Sequence, residues 1–164
     1  MTLNPVAVLG YGNPSRGDDA LAPLVLERIQ QKLDQHQLAN CFDLIDDFQL
    51  QIEHTLDMQG RSLLLFIDAS MSAKEPFEFS RIQSAQDDSI SSHALSPVAL
   101  LSVYEQVHEE PAPSAFLIAI PGYRFELGDS LSPRAEANLH LAVEFCNQLL
   151  INSDLEYWNS CVPS

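Results

Sequence analysis

Three side chains in this chain could together hold a divalent metal: Asp19, Asp68 and His93. Two ionised carboxylates and one imidazole offer oxygen and nitrogen donors, which suit nickel, zinc, iron or manganese and select none of them. Aspartate titrates near about 4 and histidine near about 6.5, so all three are open to a cation at neutral pH. They are far apart in sequence, and no local motif joins them. Asp18 adjoins Asp19 and is a candidate general base. Each residue also has a plainer use: either aspartate of the pair can cap a helix, Asp68 can end a strand in a turn, and His93 can be a surface histidine. His36, His54, His108 and His140 fall in helical or interhelical polar contexts and are read as surface residues.

The elements around these residues decide whether they can meet. Asp18-Asp19 closes the stretch VAVLGYGNPSRGDD, residues 6–19. The apolar start is a buried strand, and Gly10-Tyr11-Gly12 is a tight turn. Leu21, Leu24, Val25, Ile29 and Leu33 then recur at helical spacing, predicting a helix over 18–35 that begins on two carboxylates. Residues 41–46 read as a second strand and 50–58 as a short helix. Residues 62–67 form a continuous apolar run, the mark of a strand covered on both faces, and stop at Asp68. Residues 76–82 alternate as an edge strand. His93 precedes Ser96-Pro97, a cap and first-turn pair that predicts a helix to His108. Residues 115–120 are another buried strand. Ser132-Pro133 opens a last long helix, to Ile151.

Strands alternating with helical stretches indicate repeated βαβ units. The expectation is a three-layer α/β/α sandwich around an about five-stranded, mostly parallel twisted sheet with one antiparallel edge strand. It is expected as a single domain over 1–151, followed by a loosely attached tail over 152–164 in which Trp158 is pinned down. In such sheets ligands bind at the carboxyl ends of the strands, and Asp19, Asp68 and His93 all fall at that edge.

Composition narrows the function. The chain has 164 residues, with 8 basic against 23 acidic and a formal net charge of −15. That balance opposes nucleic acid, whose binding needs lysine and arginine on phosphate, and it opposes anionic membranes. It is compatible with a cation or a basic protein partner. No stretch reads as a signal peptide or membrane span. Cys41, Cys146 and Cys161 are an odd, scattered set and are expected as reduced thiols of a cytoplasmic protein. HExxH, GxSxG and phosphate-loop motifs do not occur in the sequence. The glycine turn has some likeness to a dinucleotide fingerprint, with Asp46 where a ribose-binding acid belongs. However, Ser15 stands at the third glycine position, and Asp18 and Asp19 would face a pyrophosphate with like charge.

Four stretches in order resemble the hydrogenase maturation endopeptidases, which process the large subunit of nickel–iron hydrogenases. GYGNPSRGDD resembles the family's opening turn, LLLFIDAS its strand ending in a metal-binding aspartate, SSHALSPVALL its histidine segment before a helix, and IPGYRFELGDSLSP its late strand and loop. Ala20-Leu21-Ala22 departs from the family's usual Gly-x-Gly after the acidic pair. The resemblance implies that Asp19, Asp68 and His93 are nickel ligands and that the nickel is supplied by the substrate, with zinc or cadmium as surrogates. The implied partner is a hydrogenase large-subunit precursor, cut near its C-terminus. Two routes to cleavage stay open: the metal polarises the carbonyl or activates a bound water, or it only positions the substrate and Asp18 or Asp19 serves as a base. Asn13 and Arg124 are expected to contact substrate, and the protein is expected to act as a monomer. Two alternatives remain at this point: a nickel-dependent binding protein or chaperone of hydrogenase assembly that does not hydrolyse, and a dinucleotide-binding module.

Overall fold

The computed structural model describes residues 3–36, 41–85 and 95–164. Its elements follow the order β1 (Val6–Tyr11), a 3-10 turn (Gly17–Ala20), α1 (Leu21–His36), β2 (Phe42–Asp47), a 3-10 turn (Ile52–His54), α2 (Thr55–Met58), β3 (Leu63–Ser70), β4 (Glu78–Ile82), α3 (Pro97–His108), β5 (Ser114–Pro121), α4 (Pro133–Ile151) and α5 (Leu155–Cys161). The five strands form one sheet in the order β2-β1-β3-β5-β4. β2, β1, β3 and β5 run parallel, and β4 lies antiparallel on β5 at the edge. The chain leaves β1 on one side to make β2 and returns on the other side to make β3. The strand order therefore reverses between β1 and β3, and the crevice at their carboxyl ends is the place where such a sheet takes a ligand.

The strand sequences explain the layers. Alternate residues point to opposite faces. Val6 and Val8 of β1 with Leu63, Leu65 and Ile67 of β3 pack under α1 and α4. Ala7 and Leu9 with Leu64 and Phe66 pack under α2 and α3. Both faces are covered, as the continuous apolar runs require. The two Ser-Pro pairs act as read from the sequence. Ser96 accepts a hydrogen bond from the Ala99 N–H at 3.1 Å and Ser132 from the Ala135 N–H at 3.2 Å, each followed by proline in the first turn.

Three expectations are corrected. β3 runs past Asp68 to Ser70, because its pairing with β5 continues through Asp68 opposite Ala119 and Ser70 opposite Pro121. The polar side chain marks where the core ends, not where the backbone ladder ends. His54 is buried, not a surface residue. Its Nδ1 accepts from the Gln51 N–H at 2.8 Å, and its Nε2 lies 3.3 Å from Asp47. His108 is half-buried and its ring packs against Tyr104 with centroids 4.5 Å apart, whereas His140 is exposed.

The third correction concerns the C-terminal segment, which is not a loose tail. Asp154 caps α5 by accepting from the Tyr157 N–H. Trp158 is fully buried, edge-on to Phe116 at 5.4 Å, and its indole N–H donates to the Leu149 and Asn152 carbonyls. A buried aromatic with both its ring and its polar handle engaged is costly to remove. Trp158→Ala is expected to lower unfolding free energy by about 3–5 kcal/mol, measured by urea denaturation. A loss below about 1 kcal/mol would mean that α5 is only laid on the surface.

Candidate active site

The opening turn carries Asp18 and Asp19 to the carboxyl edge of the sheet, and the two diverge completely. The Asp18 side chain is buried and turned toward the start of α4. It accepts hydrogen bonds from the Ser132 N–H at 2.7 Å, the Ser132 hydroxyl at 2.7 Å, the Tyr123 N–H at 2.6 Å and the Arg124 N–H at 3.1 Å. Burial alone would raise its pKa. The donors from Ser132, Tyr123 and Arg124 outweigh that and hold the carboxyl below the ordinary aspartate range. The Asp18 main chain repeats the attachment, its N–H donating to the Arg124 carbonyl at 2.6 Å.

Asp18 therefore fastens the opening turn to the loop after β5. With its oxygens saturated and no face toward solvent, it does not fit the general-base role read from the sequence. It braces the site, and its negative charge sits at the amino end of α4, where a helix favours it.

Asp19 points the other way and is half-exposed. One carboxylate oxygen accepts the Asn13 N–H at 2.7 Å. Asn13 in turn caps its own turn, its side-chain oxygen accepting the Ser15 N–H at 2.9 Å and its carbonyl accepting the Arg16 N–H. In this structure Asn13 shapes the loop that holds Asp19. Gly12 allows the close approach. A Cβ there would lie 2.1 Å from the Asp19 carbonyl oxygen. Gly12→Ala is accordingly expected to displace the Asp19 backbone and lower the unfolding free energy by about 1 kcal/mol or more in urea denaturation, since the site has no room for a side chain. Unchanged stability would show that the turn relaxes freely.

Asp68 lies in β3 on the α3 face, directly across the crevice from the end of β1. Burial, followed by the repulsion of Asp19, raises its pKa to about 7, against hydrogen bonds from Tyr11 and the Ala69 N–H that favour its charge. The turn that carries Asp19 packs on β3 at the strand-order reversal, so the two carboxylates perturb one another there. They are two of the three metal ligands expected from the sequence. The third, His93, lies outside the described residues. α3, which it precedes, packs on the Asp68 face of the sheet. Among the described residues alone, no group of three or more histidine, cysteine or acidic side chains could hold a metal. Two oxygen donors fit a hard or borderline cation, yet they are an incomplete set for one.

Arg124 is exposed, and its backbone takes part in the Asp18 attachment. The sequence reading overlooked Tyr11. Its phenol is pushed well above its ordinary 10.0 by burial, then by the charge and hydrogen bond of Asp68, and then by Asp19. It stays neutral and remains a donor. Strand register was the signal that could have found it, and the sequence does not print register.

The comparisons with known proteins bear on this architecture. No family model matches the chain, and no curated protein matches it in sequence. Solved structures do match. The hydrogenase maturating endopeptidase HybD from E. coli superposes with a TM-score of 0.68 at 22% identity, over 92% of this chain and 94% of that one. The [NiFe] hydrogenase maturation protease HycI from Thermococcus kodakarensis gives 0.66 at 20% identity, over 90% and 92%. A hydrogenase 2 maturation peptidase from a Thaumarchaeota archaeon gives 0.62 at 22% identity, over 90% and 98%. The chain has the fold of the hydrogenase maturation endopeptidases. The likeness spans both chains almost entirely, so that fold accounts for the sheet order, the flanking helices and the crevice between β1 and β3. At this level of identity it is the architecture that is shared.

Proposed function

We propose that this protein is an endopeptidase that removes a C-terminal extension from a nickel-loaded hydrogenase large-subunit precursor. The observation that supports the reading is that the turn carrying Asp19 packs on β3, the strand carrying Asp68, at the strand-order reversal of a maturation-endopeptidase fold. Asp19, Asp68 and His93 recognise nickel that arrives bound in the substrate. An incomplete ligand set is a poor site alone and a good one when the partner brings the metal with its own ligands, which makes recognition conditional on loading. Zinc or cadmium substitutes for nickel in binding tests.

Nickel held there by Asp19, Asp68 and His93 would supply a Lewis acid. The chain's own residues do the rest. Asp19 keeps one carboxylate oxygen on the Asn13 N–H; its carboxylate serves as a nickel ligand or, where nickel only positions the substrate, as the base for an attacking water. Asp18 holds the turn that carries Asp19. Arg124, exposed on the loop fastened over that turn, offers a guanidinium for an acidic group of the substrate.

The formal charge of −15 suits a basic face on the precursor and disfavours nucleic acid and membrane. Among the described residues no helix is long and apolar enough to cross a membrane. All three cysteines are free, in keeping with a cytoplasmic setting. We read the active form as a monomer.

A binding protein of the same fold without hydrolysis is the competing reading. The two are separated by incubating the purified chain with candidate precursors and weighing the products by mass spectrometry. A precursor shortened near its C-terminus supports the endopeptidase. A precursor of unchanged mass that co-elutes with this protein only when nickel is present supports the binding protein.

A further inference from the structure

β2 is an outer strand of the sheet. It is bonded to β1 on one side, and among the described residues no strand pairs with its other side. The Gly12 N–H donates to the Asp47 carbonyl at 3.1 Å, so the backbone of Asp47 faces β1. Backbone groups of successive strand residues turn to opposite sides, so the N–H and C=O groups of Leu44 and Asp46 face outward from the sheet. A row of such groups is a template for another extended chain.

A groove of about 460 Å³ lies beside this edge, between β2 and α1. Leu44 and Asp46 line it from the strand, and Pro23, Leu24 and Glu27 from the helix. Leu24 and Leu44 are only half-buried, so the floor of the groove is apolar and uncovered. Pro14 of the opening turn lines it as well. Pro14 follows Asn13, whose N–H holds the Asp19 carboxylate. The groove therefore adjoins the loop that presents Asp19.

The charge of the groove says what fits it. Asp46 and Glu27 are exposed, and among the described residues neither takes part in an ion pair. No basic residue lines the groove among them. A basic side chain on an incoming segment would meet both carboxylates. A second copy of this chain, pairing edge to edge, would bring its own Asp46 and Glu27, like charge against like.

We propose that β2 and this groove take an extended segment of the substrate precursor as an added strand, with an apolar side chain against Leu24 and Leu44 and a basic one at Glu27 and Asp46. This deepens the endopeptidase reading and rests on it. In strand addition the main-chain hydrogen bonds give affinity and the side-chain pockets give specificity. Here the strand would also lead the segment along the sheet to the edge where Asp19 stands.

The test measures cleavage of a nickel-loaded hydrogenase large-subunit precursor at several precursor concentrations. The unmodified chain is compared with Glu27→Lys, Asp46→Ala and Asp46→Pro, and each is also unfolded in urea. Asp46→Pro removes an N–H that faces away from β1, so the ladder inside the sheet keeps its bonds. Asp46→Ala also lacks the carboxylate but keeps that N–H. Glu27→Lys is expected to raise KM about fivefold with kcat kept, the mark of lost binding outside the reacting centre. Asp46→Pro is expected to raise KM roughly threefold to tenfold above Asp46→Ala, the worth of one backbone hydrogen bond. Equal KM in the two Asp46 variants overturns the added strand. Unchanged KM in Glu27→Lys overturns the basic occupant and leaves the acidic pair as guards of a bare edge. If Asp46→Pro lowers the unfolding midpoint, Glu27→Lys decides alone. When the unmodified chain cuts the precursor and the variants match it, only this inference fails. When the unmodified chain leaves the precursor uncut, the endopeptidase reading fails and the inference falls with it.

Discussion

Asp18→Ala is expected to destabilise the protein by about 3–5 kcal/mol while leaving no new cavity of consequence. The side chain is small, and its importance lies in what it accepts. Three backbone N–H groups and one hydroxyl, from Ser132, Tyr123 and Arg124, converge on its two oxygens. Removing the carboxylate strands those donors where water does not readily reach, at roughly 1–3 kcal/mol for each group left unsatisfied. The effects do not add fully, because the loop after β5 can relax. Urea unfolding would measure the loss, and a change below about 1 kcal/mol would show that the turn and the loop are held by other contacts.

The same carboxylate sets an acid sensitivity with a definite sign. Its folded pKa lies below the ordinary 3.8. Its contribution is therefore complete above about pH 4 and fades as pH falls through the folded value. Asp18→Asn should flatten the fall in stability below pH 4 and lower stability at neutral pH. A steeper acid limb in that variant would contradict the assignment.

Asp19→Asn and Asp68→Asn are expected to behave in the opposite way, with folding kept and cleavage lost. Asp68 is a half-buried carboxylate whose charge is disfavoured by desolvation and by Asp19, so neutralising it should leave stability equal or slightly higher. On the proposed function, losing a charge that faces the substrate's nickel would cost about 3 kcal/mol or more of transition-state stabilisation, a rate loss of about a hundredfold or more. His93→Ala should show the same loss. The pairing of intact unfolding curves with absent product distinguishes these three variants from Asp18→Ala, in which any loss of activity would follow a loss of fold. Full activity in all three would remove the site.

The contrast between Asp18 and Asp19 shows how far the sequence could be read. The two are neighbours of identical type, and only the fold distinguishes them. The partner of Asp18 is Ser132, 114 residues away, so nothing near the acidic pair announces the brace. The layers, by contrast, were legible. Residues 62–67 and 115–120 are too continuously apolar to be anything but doubly covered strands, and two Ser-Pro pairs mark the starts of α3 and α4. Helix α5 escaped because its periodicity is weak. One buried tryptophan and one aspartate cap hold it, and the tryptophan's value depends on Phe116 being there to receive it. Tyr11 escaped for the same kind of reason. It reads as part of a glycine turn until the fold makes it the last residue of β1, on the sheet face that Asp68 shares. Both were missed because tertiary contact decided what local pattern left open.

The central claim is that this protein reads nickel in its substrate and then cuts. It is tested most directly by one comparison: the mass of a single hydrogenase large-subunit precursor after incubation with this protein, once loaded with nickel and once nickel-free. The account predicts a C-terminally shortened product from the loaded precursor and an unaltered mass from the nickel-free one. Equal cleavage of both, or cleavage of neither, would contradict it.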